Sequence, residues 1–206
     1  SGNLLACWFY GHGEKTDDTL VIQGARKKPG GLWSEPFLLA DNQDMPDQNP
    51  VLFIDPQHTL WLFWISSLDN TSRTYLITYM TSTDYDGDGP PVWQEQKILP
   101  CRPSNFTERF MNASANYPEA YGASFDSEPK YRERLAAARE AASDSLWPRI
   151  GWMPRACPIM LSEHKMVIGL YSDVFLSSIV AWTEDSGKTW RFGEPMQGYG
   201  PIQPSL

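Results

Sequence analysis

The chain has 206 residues, a formal net charge of −8 and 41% hydrophobic residues. No apolar run approaches the ~20 residues of a membrane-spanning helix, and no basic stretch stands out from the acidic background, so we expect neither a membrane span nor a nucleic-acid partner. The chain has nine Trp and 17 Pro, and only 20% of its residues are charged. This composition is typical of an all-β fold with many turns.

The predicted strands recur as a unit along the chain. The complete unit has a proline and a first apolar strand, a short polar turn, and a second apolar strand. It is complete in residues 50–64 and 158–171 and begins again at Pro204. Residues 4–10 match only its second half. Each copy continues with a third strand and a turn that ends at a tryptophan, over residues 19–33, 75–93 and 178–190.

Three to four short strands per repeated unit predict the blades of a β-propeller. We place the units at about residues 1–45, 46–100 and 155–200 of one partial domain. Because the chain starts and stops in the middle of a unit, we expect it to hold about half of a closed ring, with the rest of its own propeller as partner.

An insertion over residues 101–154 separates the last two units. Apolar residues recur in it at helical spacing, namely Tyr131, Leu135, Ala138, Ala142 and Leu146. The spacing predicts one amphipathic helix near residues 127–147, packed on the sheets, with Asp126 or Ser127 as its N-cap.

A turn motif lies at the end of the last complete unit. Residues 183–190 read Thr-Glu-Asp-Ser-Gly-Lys-Thr-Trp and fit the Asp-box pattern Ser/Thr-x-Asp-x-Gly-x-x-Trp at each fixed position: Thr183, Asp185, Gly187 and Trp190. We expect the carboxylate to bind turn amides, the glycine to adopt a positive φ, and the tryptophan to pack between strands. Residues 26–33 and 82–93 are degenerate copies.

With these motifs the chain resembles the sialidase (neuraminidase) superfamily, in particular its bacterial BNR-repeat branch. The stretches that carry the resemblance are 4–9, 49–53, 151–155, 170–173 and 203–205. The resemblance implies a propeller that is six-bladed at full length. It also implies a secreted or periplasmic exo-glycosidase that acts on an acidic or decorated glycan without a cofactor.

The loops of such a fold can be assigned to two faces, because antiparallel strands alternate in direction. The turns within residues 55–58 and 162–165 share one face with the Asp-box turns. The loops after each second strand share the other face with the linkers between units. The resemblance implies that this second face carries the active site.

The loop over residues 11–18 lies on the second face and corresponds to the sialidase segment that supplies an acid/base aspartate. The resemblance therefore implies Asp18 as a catalytic residue, with Glu14 beside it, since glycoside hydrolysis needs a proton donor. The alternative is that both carboxylates only keep a surface loop in contact with water.

Further polar residues on this face are expected to bind the substrate, namely Asp47, Asn49, Arg155, Tyr171, Asp173 and Gln203. Arg155 is suited to a bidentate pair with a substrate carboxylate, although a structural ion pair is the alternative. For Asp47 and Asn49 the alternative is hydrogen bonding between blades. Gln203 stands near the place where the resemblance implies the glutamate of a Tyr–Glu nucleophile pair, and an amide cannot act as a general base.

Two other functions stay open at this point. A propeller can bind carbohydrate or protein without catalysis, because a fold does not determine a function. A propeller polysaccharide lyase would instead need a tyrosine or histidine base.

One acidic loop fits the spacing of a calcium site, with Asp84, Asp86, Asp88 and Glu95 as its ligands. No predicted helix flanks this loop, and Pro90 and Pro91 stiffen it. We therefore favour an acidic turn between strands, and any calcium bound there would be structural.

Overall fold

Three antiparallel sheets form most of the computed structural model, which describes residues 2–14, 18–196 and 202–206. This arrangement, with few helices, confirms the predicted all-β class. None of the helices in the described part of the chain is long and apolar enough to cross a membrane.

The first sheet contains three strands in chain order: β1 (Leu4–Tyr10), β2 (Val21–Lys27) and β3 (Phe37–Ala40). Phe9 of β1 and Ile22 of β2 are register partners. Both lie in the apolar cluster that the first sheet shares with Leu62 and Trp64 of the second sheet. The alternation of residue types along β1 therefore determines which side of the first sheet faces its neighbour.

The second sheet contains four strands in chain order: β4 (Asp47–Ile54), β5 (Leu60–Ser66), β6 (Leu76–Ser82) and β7 (Lys97–Ile98). All seven residues of β5 are buried. This strand lies between two hydrogen-bonded neighbours and has a sheet on each side, which explains its continuous apolar sequence.

The third sheet contains five strands: β8 (Met153–Pro154), β9 (Ile159–Met160), β10 (Met166–Ser172), β11 (Ser177–Thr183) and β12 (Arg191–Phe192). Both β8 and β9 pair with β10, so residues 155–158 interrupt what would otherwise be one strand. The register of β4 also shifts between Gln48 and Val51. These two irregularities free Asn49 and Arg155 from regular pairing.

The segment between β7 and β8 carries four helices: α1 (Phe106–Ser114), α2 (Tyr117–Tyr121), α3 (Ala123–Ser127) and α4 (Pro129–Ser143). The helix predicted near residues 127–147 is present as α4, whereas α1, α2 and α3 were not predicted. The predicted N-cap was wrong, because Ser127 ends α3 and Glu128 precedes α4. Leu146 lies beyond α4 and is exposed. The apolar residues keep helical spacing as far as Leu146, but the backbone becomes extended at Asp144.

The helices are attached to the third sheet by aromatic contacts. The ring of Phe106 stacks on Phe110 with a centroid distance of 5.6 Å and meets Phe175 edge-on at 4.7 Å. Phe175 in turn stacks on Trp152 at 6.0 Å. These rings hold the segment directly before β8, which positions Arg155.

The Asp-box turn has the structure that its sequence predicts. Asp185 Oδ1 accepts the backbone N–H of Thr189 at 2.8 Å, and Gly187 N donates to Thr183 Oγ1 at 2.8 Å. Hydrogen bonds from the hydroxyl and amide of Thr189 lower the pKa of Asp185 to about 2. Gly187 has a φ of +78°, and the ring of Trp190 meets Tyr79 of the second sheet at 6.0 Å. The turn therefore also joins the second and third sheets.

Candidate functional site

A polar cleft of about 280 Å³ lies where the three sheets meet. Five of the residues predicted for the site line this polar cleft: Glu14, Asn49, Arg155, Tyr171 and Asp173. Glu14 follows β1, Asn49 lies in β4, and the other three lie in or next to β8 and β10. Each sheet therefore contributes to one concave surface.

Asn49 is held in an unusual backbone conformation at the edge of the polar cleft. Its φ is +50°, which asparagine tolerates better than most residues. Its side-chain amide donates to the sulfur of Met153 at 3.3 Å, which connects β4 with β8. Asn49 thus both borders the cleft and helps to hold two sheets together.

Arg155 is exposed and forms no ion pair with any residue that the structure describes. Its guanidinium lies near the side chain of Tyr171, which Gln203 also approaches. Burial raises the pKa of Tyr171, and the positive charge of Arg155 opposes that rise. The structure thus brings together three of the predicted substrate-binding residues, and no carboxylate among the described residues pairs with the Arg155 guanidinium.

Tyr75 is a buried member of the polar cleft that the sequence analysis did not identify. Its pKa is raised to about 12, first by burial and then by the negative charges of Asp173 and Glu14. Tyr75 directly precedes β6. Its position after a loop already assigned to the second face was the one sequence signal that could have identified it.

Asp18 is exposed and does not itself line the polar cleft, but it is hydrogen-bonded to a residue that does. The side-chain amide of Asn70, which lines the cleft, donates to the Asp18 carboxylate. Gln48 Nε2 donates to the backbone carbonyl of Glu14 at 2.6 Å, which holds the other end of the same loop. Asn70 and Gln48 were also missed, because the sequence gives no sign of contacts between residues this far apart.

Asp47 does not line the polar cleft, contrary to the prediction that it binds the substrate. The residue has 0% exposure, and its carboxylate accepts hydrogen bonds from Trp64 Nε1 at 2.9 Å and from Ser66 Oγ at 2.6 Å. Asn42 N donates to its second oxygen at 2.7 Å. Burial raises the pKa of Asp47 in spite of these bonds. Asp47 therefore connects strands, as the alternative interpretation had it.

The acidic loop is held as a turn by contacts of its own residues. Among residues 2–14, 18–196 and 202–206, no three carboxylate, cysteine or histidine side chains are grouped so that they could hold an ion. Asp88 instead pairs with Lys28 Nζ at 2.9 Å. The backbone N–H of Val92 donates to the carbonyl of Asp84 at 3.0 Å, as in a turn between strands.

A family model described as "BNR repeat-like domain" matches residues 2–118, which is more than half of the chain. These residues include the first two sheets and the loop that carries Glu14 and Asp18. No curated protein matches the chain significantly.

Among solved structures, the chain is similar to a crystal structure of a protein of unknown function from Dyadobacter fermentans DSM 18053. The TM-score is 0.56 at 13% sequence identity, and the match covers 94% of this chain and 51% of that one. The chain thus spans about half the length of this solved structure. At this identity the similarity shows a shared fold and no more.

Proposed function

This chain belongs to the BNR repeat-like family, and from that premise we propose that it is part of a sialidase-like glycoside hydrolase whose polar cleft binds an acidic or decorated glycan. In this proposal the three sheets are blades of a six-bladed propeller, and the other blades belong to the rest of the protein. The substrate enters at the face where Glu14, Asn49 and Arg155 meet.

The observation that carries the proposal is the convergence of polar residues from three sheets on one concave surface. Loops mounted on rigid strands commonly carry function, and a concave site with few polar groups is the usual form of a ligand site. Arg155 supports an acidic ligand in particular, because its guanidinium has no carboxylate partner among the described residues.

The proposed mechanism divides binding from proton transfer. Arg155 forms a bidentate, charge-assisted hydrogen bond with the substrate carboxylate, and Asn49 and Tyr171 fix the orientation of the sugar. Asp18 donates a proton to the glycosidic oxygen as that bond breaks. Water adds to the anomeric carbon and loses one proton to the solvent, from which the Asp18 carboxylate is reprotonated, so the products are the free sugar and an alcohol. Asn70 positions Asp18 through its side-chain amide.

A non-catalytic glycan-binding protein is a second candidate, and one observation favours it. Gln203 contacts Tyr171, and its amide cannot take the proton that a tyrosine nucleophile must lose. In this second proposal the same cleft binds the glycan and releases it unchanged.

Arg155→Ala in the full-length protein is expected to weaken the binding of an acidic oligosaccharide about 10- to 100-fold, which corresponds to one charged hydrogen-bond pair. The thermal unfolding midpoint should stay unchanged, because Arg155 is exposed. Isothermal titration calorimetry with sialyllactose and with an acidic glycan panel measures the loss. Arg132→Ala is the matched control, since Arg132 is exposed on α4 and does not line the cleft.

Unchanged affinity in Arg155→Ala would remove Arg155 from the binding site. Incubation of the unmodified protein with a fluorogenic sialoside and the same panel separates the functions. Release of a reducing sugar supports the hydrolase, an unsaturated product indicates a lyase, and binding without turnover indicates the non-catalytic protein.

A further inference from the structure

A second concave surface lies at the other end of the third sheet. Tyr171 of β10 pairs with Ser178, whereas Val167, near the start of that strand, pairs with Trp182. Trp182 borders a cleft of about 580 Å³ that shares no lining residue with the polar cleft. We call it the arginine cleft, after five of its residues: Arg102, Arg149, Trp182, Trp190 and Arg191.

The walls of the arginine cleft are held by regular structure. Trp182 and Arg191 are register partners on β11 and β12. The linker that carries Arg102 is attached to the end of β12, because Ser104 N donates to the carbonyl of Gly193 at 3.2 Å and Ser104 Oγ donates to the carbonyl of Phe192 at 3.0 Å. The side chains thus stand on a framework that needs no ligand to form it.

The local charge is positive in a chain whose net charge is −8. Glu184 lies 3.9 Å from Arg191 Nη1, but its carboxylate is also 2.9 Å from Lys165 Nζ. Arg102 and Arg149 have no ion-pair partner within the parts of the chain that the structure describes. Among the described residues that line the arginine cleft three are arginines and none is a carboxylate, and such an excess of positive charge attracts anions into a concave surface.

Aromatic and cationic groups lie side by side in the arginine cleft. Trp182 is partly exposed and lies beside its register partner Arg191, which also lines the cleft. An indole face is a flat apolar surface with which one side of a sugar ring can be in contact. Guanidinium groups match the forked oxygens of carboxylate and of similar oxyanions.

From these contacts we propose that the arginine cleft is a second saccharide-binding site, which takes a sugar that carries a carboxylate or a sulfate. The acidic group contacts Arg102 and Arg149, and the sugar ring lies on Trp182. Bound sugar is not hydrolysed there. The proposal does not depend on the function assigned to the polar cleft.

The test uses the full-length protein with Arg155→Ala, so that binding at the polar cleft is already weakened. Tryptophan fluorescence is followed during titration with tetragalacturonate, a heparin-derived tetrasaccharide and neutral cellotetraose. We expect one of the two acidic saccharides to bind and the neutral one not to bind. Adding Arg102→Gln and Arg149→Gln together should weaken this binding at least tenfold without changing the far-UV circular dichroism, because both side chains are exposed.

The matched control adds Lys28→Gln and Lys130→Gln instead, which removes two positive charges from exposed lysines elsewhere. It should leave the affinity within about twofold. An equal loss in this control would show general charge attraction and overturn the proposal, as would unchanged affinity in the arginine double variant. Competition by inorganic sulfate as strong as that by the saccharide would contradict sugar recognition. If Arg155→Ala does not affect turnover, that result contradicts the function proposed for the polar cleft and leaves the proposal for the arginine cleft unchanged.

Discussion

Replacing Gly187 with valine is expected to lower the free energy of unfolding by about 3–5 kcal/mol, the sum of backbone strain and overpacking. The φ of Gly187 is +78°, which a β-branched residue hardly ever adopts. A Cβ built at this position would lie 2.5 Å from Cη2 of Trp61 and 3.0 Å from its Cζ3. Trp61 is itself buried and stacked on Phe63, so its ring has no room to move away.

Gly30 provides the matched control, since its φ is +70° but a Cβ there would meet nothing within 4 Å. Gly30→Val should therefore cost only the backbone strain, about 1–2 kcal/mol. Urea unfolding followed by tryptophan fluorescence measures both variants. Equal losses in the two would show that the added side chain does not clash with Trp61 and would contradict the prediction.

Asp18→Asn is expected to lower kcat on the best glycan substrate about 10²- to 10⁴-fold, the usual contribution of a general acid. The amide keeps the size of the side chain but has no acidic proton to give. KM should change much less, because the residues that line the polar cleft, among them Arg155, still bind the substrate. Steady-state kinetics with a fluorogenic substrate give both constants.

Glu35→Gln is the control for this prediction, because Glu35 is exposed and does not line the polar cleft. It should keep the unmodified kcat. If Glu14→Gln stops turnover while Asp18→Asn does not, the proton donor is Glu14 and the assignment to Asp18 is wrong. Asn70→Ala should reduce kcat in the same direction as Asp18→Asn, since Asn70 holds the Asp18 carboxylate.

Sequence patterns predicted the strands and the Asp-box turn because their causes are local. The apolar run of β5 and the residues of the Asp-box determine the conformation of their own segments. Alternating strand direction then predicted which loops share a face. For that reason Glu14, Asn49 and Arg155 could be assigned to one site before their distances were known.

Asp47 shows where this local reasoning fails. Its strand was expected to begin at Pro50, which would leave Asp47 in a loop, but β4 begins at Asp47 itself. The side chain therefore points into the hydrogen-bond network of Trp64 and Ser66. One difference in a strand boundary thus moved a carboxylate from the solvent to the interior.

The missed helices and the missed members of the polar cleft have a common physical reason. Phe106 and Phe110 are spaced for a helix, but the segment is short and rich in polar residues, and it is stabilised by contacts with Phe175 and Trp152 far along the chain. Tyr75 likewise gains its raised pKa from burial and from carboxylates on other loops. Such contacts exist only after the sheets have packed.

A crystal structure of the full-length protein with a bound acidic oligosaccharide tests the central claim most directly. We expect the sugar carboxylate within hydrogen-bonding distance of the Arg155 guanidinium, with the ring lying between Asn49 and Tyr171. A saccharide bound elsewhere on the protein while Arg155 stays free of it would contradict the assignment of the polar cleft as the glycan-binding site.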